Sequence, residues 1–80
     1  MSKLSTSTQL GIILTSRRKA LGLTQIQVAT SLGISQNRFS ELEGRPAQLT
    51  IDRLLALSGI LGLELVIQEQ PKDASRDNEW

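Results

Sequence analysis

Apolar positions recur with a helical period over most of the chain. Leu10, Ile13, Leu14 and Leu21 share one face of a helix predicted from about Thr8 to Leu21. Arg17 interrupts that stripe and is expected at its edge, its stem packed and its head in solvent. Gly22 ends the helix. The stretch TQIQVATSLGISQNRFSELE, Thr24 to Glu43, then predicts two short helices with a tight corner. Thr24 caps the first, and Val28, Ala29 and Leu32 form its inner face. Gly33 sits where that helix must stop, because glycine tolerates the positive φ of a sharp turn. Ile34 is the apolar residue of the corner and Ser35 a good N-cap. Phe39 and Leu42 restore the apolar face at i and i+3. Small Ala29 lets two steeply crossed helices approach closely. Ile26 is apolar at a position expected to be exposed.

Gly44 closes the second helix of this pair, and Arg45-Pro46-Ala47 reads as a loop. Thr50 caps a further helix with Asp52 in its first turn. Ile51, Leu54, Leu55, Leu57, Ser58 and Leu61 are expected to supply the face that closes the bundle, and Gly62 ends the helix. The period then changes. In LELVIQE, residues 63–69, Leu63, Leu65 and Ile67 alternate with Glu64, Val66 and Gln68, which reads as a short strand. Nothing else here reads as β, and an unpaired apolar edge is a liability. Pairing with the same strand of a second copy, in a two-fold dimer, is the economical solution. Leu63, Leu65, Val66 and Ile67 are the dimerisation residues on this reading; the alternative is a fifth short helix. The expected organisation is a flexible arm at 1–7, one domain at 8–69 and a disordered acidic tail at 70–80.

Composition narrows the chemistry. Eighty residues make one domain, marginal alone and helped by a dimer interface. There is no Cys and no His. Disulfides are excluded, a zinc site is disfavoured, the commonest general base is missing, and the carboxylates do not cluster. Neither an enzyme nor a bound cofactor or metal is expected. No apolar run approaches the ~20 residues needed to span a bilayer. The first residues lack the charge and cleavage site of a secretion signal. The expected location is cytoplasmic, with no membrane partner. The net charge is only +1, but its distribution is uneven. Residues 1–68 carry Lys3, Arg17, Arg18, Lys19, Arg38, Arg45 and Arg53 against Glu41, Glu43, Asp52 and Glu64. Residues 69–80 carry Lys72 and Arg76 against Glu69, Asp73, Asp77 and Glu79. A basic body suits a polyanion, and an acidic tail suits a different partner. The run Arg17-Arg18-Lys19 also complements a helix C-terminus, so it has a structural reading beside a phosphate-contact one.

The pair of helices has the form of a helix-turn-helix. Through Gln25, Val28, Ala29, Leu32, Gly33, Ile34, Gln36, Phe39 and Leu42 it resembles the Cro/C1-type repressor family. The plain alternative is a helical hairpin with no ligand. The resemblance implies a compact, mainly α bundle of four to five helices with its second motif helix in the major groove. Ser35, Gln36, Asn37 and Ser40 occupy the outward face opposite Phe39 and Leu42. Gln36 is the first candidate for a base contact and Asn37 the second, since an amide matches adenine bidentately. Arg38 is placed to reach guanine or a phosphate. Gln25 is expected on the DNA backbone at a helix N-terminus, and Arg45 and Lys19 are further phosphate candidates. The resemblance also matches Arg18 and Glu43 to a structural ion pair, with direct phosphate contact as the alternative for Arg18.

The whole layout resembles more narrowly the HipB-type antitoxins: a helix-turn-helix bundle, a following apolar strand, and an acidic tail ending Glu79-Trp80. That resemblance implies a homodimer on palindromic operator DNA, repression of its own operon, and a HipA-type Ser/Thr kinase toxin of one or two polypeptides as partner. It assigns toxin contact to Trp80; the bland reading is a terminal residue left in water. Relatives often have a basic residue where this chain has Ser35, so base preference is expected to differ. The rivals are a stand-alone repressor without a toxin and a protein-interaction module on the same scaffold.

Overall fold

Four helices start where a hydroxyl can cap them. The structure, a computed structural model, describes residues 4–70. α1 spans Ser7–Ala20, α2 Gln25–Leu32, α3 Gln36–Gly44 and α4 Ile51–Ile60. The N-caps are Thr6, Thr24, Ser35 and Thr50, and each side chain accepts from a backbone N–H three residues on. At Thr6 and Thr24 a glutamine at N3 returns the bond, closing a capping box. The box of Thr6 and Gln9 explains why α1 begins slightly earlier than periodicity predicts. It draws Ser7 out of the expected arm and into the helix, with Thr6 as its cap.

Three helices end on one repeated signal. Leu21-Gly22-Leu23, Leu32-Gly33-Ile34 and Leu61-Gly62-Leu63 each place a positive-φ glycine after the helix. In each, the N–H of the third residue reaches back five residues: Leu23 to Arg18 O, Ile34 to Ala29 O, and Leu63 to Ser58 O, at 2.8–3.0 Å. The same three residues pack against the core. This is the Schellman arrangement, in which the turn satisfies orphan carbonyls while an apolar residue pins the exit. It gives Ile34 its role at the corner.

The core is Leu14 from α1, Val28 and Ala29 from α2, Phe39 and Leu42 from α3, and Leu54, Leu57 and Leu61 from α4 and its end. α2 packs against both α3 and α4, while α1 packs against α3 and the connection that follows it. That connection is a short 3-10 turn, Pro46–Gln48, rather than an irregular loop. Gly11 of α1 faces it so closely that an added Cβ would lie 2.8 Å from Pro46 Cγ.

Three expectations are corrected. Ile51 and Leu55 are not in the core; they are 65% and 50% exposed. At about 100° per residue both fall to one flank of the buried stripe Leu54, Leu57, Ser58 and Leu61. The head of Arg17 is not left in solvent: its Nε donates to Leu61 O at 2.8 Å, at the end of α4. Neither the strand expected over residues 63–69 nor its alternative, a fifth helix, forms within the described residues. Residues 63–70 are neither helical nor paired as a strand among the described residues. Leu63 still packs on the core, while Leu65, Val66 and Ile67 are exposed. The tail, with Trp80, lies outside the described residues, as do residues 1–3.

Candidate nucleic-acid interface

α3 has two chemically different sides. Phe39 and Leu42 are 1% and 3% exposed, fixed against the bundle. Gln36, Asn37, Arg38 and Ser40 are all exposed. A helix whose back is locked can present its front in one orientation. Ser35, just before it, spends its oxygen as the cap, accepting from Arg38 N at 3.1 Å. Its hydroxyl proton remains available to an external acceptor. Arg38 sits 3.5 Å from Glu41 in an exposed i,i+3 pair. Contacts of that kind are weak, so the guanidinium can leave for a better anion.

Behind this surface lies a chain of polar side chains. Arg18, 8% exposed, donates through Nε to Glu43 Oε2 at 2.6 Å and through Nη2 to Oε1 at 3.3 Å. Its Nη1 donates to Leu23 O at 2.9 Å. The pair joins α1 to the last turn of α3, and burial with both partners satisfied is the condition under which such a pair is tolerated. Glu43 Oε1 also accepts from Gln25 Nε2 at 2.9 Å. Gln25 Oε1 in turn accepts from Gln36 Nε2 at 3.4 Å. Four residues from three helices are thus joined, from a buried arginine to an exposed glutamine. No buried side-chain N or O atom lacks a partner among the described residues.

The sequence-predicted residues therefore fall into three groups. Gln25 and Gln36 meet at the adjoining N-termini of α2 and α3, beside Ser35, Asn37, Arg38 and Ser40. Arg18 and Glu43 are in contact behind them. Lys19, in the last turn of α1, and Arg45, between α3 and the 3-10 turn, are exposed. Among the described residues neither side chain has a hydrogen-bonded partner. The links of Gln25 to Glu43 and of Gln36 to Gln25 escape a reading of the sequence. Their only signal is the position of both glutamines at helix starts, and the crossing of α2 and α3 decides whether they touch.

Among the described residues no group of three or more His, Cys, Asp or Glu could hold a metal ion, and no helix is long and apolar enough to cross a membrane. A family model described as a helix-turn-helix domain matches residues 2–68. A solved structure described as a HipB-O1-O2 complex is similar at 26% identity and a TM-score of 0.77, covering 86% of this chain and 100% of that one. A second, described as MDT protein, is similar at 25% identity and a TM-score of 0.78, covering 89% of this chain and 100% of the other. Comparison with curated proteins finds no match.

Proposed function

Because the chain belongs to the helix-turn-helix domain family, we propose that it is a sequence-specific, non-enzymatic regulator that binds operator DNA as a homodimer. The observation that carries this reading is the two-sidedness of α3: a buried apolar back, Phe39 and Leu42, behind an exposed row of amides and hydroxyls. In the major groove Gln36 and Asn37 meet base edges, Ser35 and Ser40 flank them, and Arg38 reaches guanine or a phosphate. Gln25, Arg45 and Lys19 contact phosphates and set the register. Two copies joined through residues 63–67 present two such helices about one DNA turn apart, ~34 Å. The operator is then an inverted repeat.

The likeness to a HipB complex supports a finer reading. On it the protein is an antitoxin of the cytoplasm and nucleoid that represses its own operon. Its partner is a HipA-type Ser/Thr kinase toxin, in one polypeptide or two, contacted through the acidic tail and Trp80. The test compares the full chain with one lacking residues 71–80, against operator duplex and against the kinase. Operator affinity is expected to persist in both, with kinase affinity reduced at least several-fold in the shortened chain. Unchanged kinase affinity removes the tail contact. No kinase binding by either chain leaves a stand-alone repressor, and no specific duplex binding by either ends the regulator reading.

A further inference from the structure

We propose that Arg17 fixes the direction in which residues 63–67 leave the bundle, and that it thereby sets how strictly the dimer discriminates the spacing between two operator half-sites. The proposal rests on the reading of the protein as a DNA-binding dimer joined through those residues. Packing alone calls for no charge at this position. Arg17 falls within the apolar stripe of Leu10, Ile13, Leu14 and Leu21 on α1, and it is half-buried. An aliphatic side chain would fill the place without the desolvation that a guanidinium brings. Arg17 reaches instead to the end of α4. Its Nε donates to Leu61 O at 2.8 Å, one of the carbonyls that a helix C-terminus leaves without an intrahelical partner. Its Nη2 lies 3.2 Å from where a Cβ on Gly62 would stand.

Three helices end on the same glycine turn, and only the turn at Gly62 is covered in this way. A Cβ on Gly22 or Gly33 would meet nothing within 4 Å. Those two turns lead into α2 and α3, whose own packing fixes the course of the chain. Gly62 leads to no further helix among the described residues. Leu63 packs on the core and its N–H returns to Ser58 O at 2.8 Å, but residues 64–70 are exposed. The last fixed points of the described chain are therefore Leu63 and the Arg17 clamp on Leu61 and Gly62. In a dimer joined through residues 63–67, a rotation at that exit swings each reading helix about the joint. One base pair of spacer moves a half-site by ~3.4 Å and turns it by ~35°. A rigid exit forces that misplacement onto the DNA as deformation, and a loose exit absorbs it. Arg17 touches no base; it is a positioning residue.

The experiment first selects half-sites for the full chain from a randomised duplex library. It then measures affinity for duplexes with the selected spacer and with one base pair more or fewer. Circular dichroism and sedimentation establish that each variant folds and dimerises. Wild type is expected to lose about tenfold in affinity for one base pair of misspacing, the scale of a modest DNA deformation. Arg17→Met keeps the length and the apolar stem but has no donor. Its misspacing loss is expected to fall to about threefold or less, with base preferences inside each half-site unchanged. Arg17→Gln sets an N–H donor the same number of bonds from the backbone as Nε, and is expected to restore the wild-type loss. Arg17→Leu, which completes the aliphatic stripe, carries the test should Arg17→Met not fold. A role in stability alone would lower affinity on all spacings by one factor. That result in a folded apolar variant overturns the proposal and leaves the dimer reading standing, as does a misspacing loss as small in Arg17→Gln as in Arg17→Met. A wild type indifferent to spacing also overturns the proposal, and one that selects no paired half-sites overturns the dimer reading with it.

Discussion

Two neighbouring arginines of α1 serve different ends of the fold. Arg18 turns inward to Glu43, while Arg17 reaches the carbonyl of Leu61, the C-cap of α4, where a cation also complements the helix dipole. Neither remains a free charge for DNA. Residues that are exposed, such as Gln36 and Arg45, are where function is tested. Gln36→Ala is expected to cost specific binding ~1–3 kcal/mol and to relax preference at one base pair, read by competition between cognate and random duplexes. Arg45→Ala is expected to weaken both duplexes alike, since phosphates carry no sequence information. Equal losses on both duplexes for the two variants would remove the division of roles. At this scale the sequence is legible where a residue acts on its near neighbours. The interruption of the apolar stripe at Arg17 is visible; the carbonyl 44 residues away that explains it is not. Arg18 with Glu43 came into view through family resemblance, since no spacing rule joins residues 25 apart.

Helix boundaries are the best-read feature of this chain, because caps act over three residues. Thr24, Ser35 and Thr50 are each identified by residue type, and each accepts the capping bond. Gly33 is legible for the same reason, with φ at +76°. A Cβ there would meet nothing within 4 Å, so only backbone strain opposes substitution. Gly33→Ala is expected to cost ~1–2 kcal/mol, the penalty of the left-handed region for an L residue, measured from the urea midpoint. A loss near zero would mean the corner rearranges freely. Periodicity reads less well on α4. It gathers all the apolar residues into one face, whereas packing uses only the arc that α2 can cover. Ile51 and Leu55 show the difference.

The whole molecule leaves several large apolar side chains uncovered. Leu65, Val66 and Ile67, beyond α4, are exposed and have no ladder partner among the described residues; Ile51 and Leu55 on α4 are exposed as well. Ile67 is 94% exposed, which no contact within the described residues relieves. A second copy covering residues 63–67 is the proposal that the dimer rests on. Amide hydrogen exchange at residues 63–68 is expected to be slow at high concentration and to lose protection on dilution to monomer. Protection that survives dilution would exclude the strand-paired dimer. A single chain cannot display such a partnership, which is why the change of period after Gly62 can be seen in the sequence while its meaning waits on the assembly.

The buried pair between α1 and α3 has a consequence for how the complex comes apart. Dissolved ions weaken attractions between exposed charges, but penetrate little to groups hidden from water. The side chains of Arg18 and Glu43 are 10% and 8% exposed, whereas Arg38 and its neighbour Glu41 are 49% and 64% exposed. On the proposed DNA-binding reading, rising ionic strength is therefore expected to release the duplex well before it loosens the joint between α1 and α3, leaving the freed protein ready to bind again as soon as the medium is diluted.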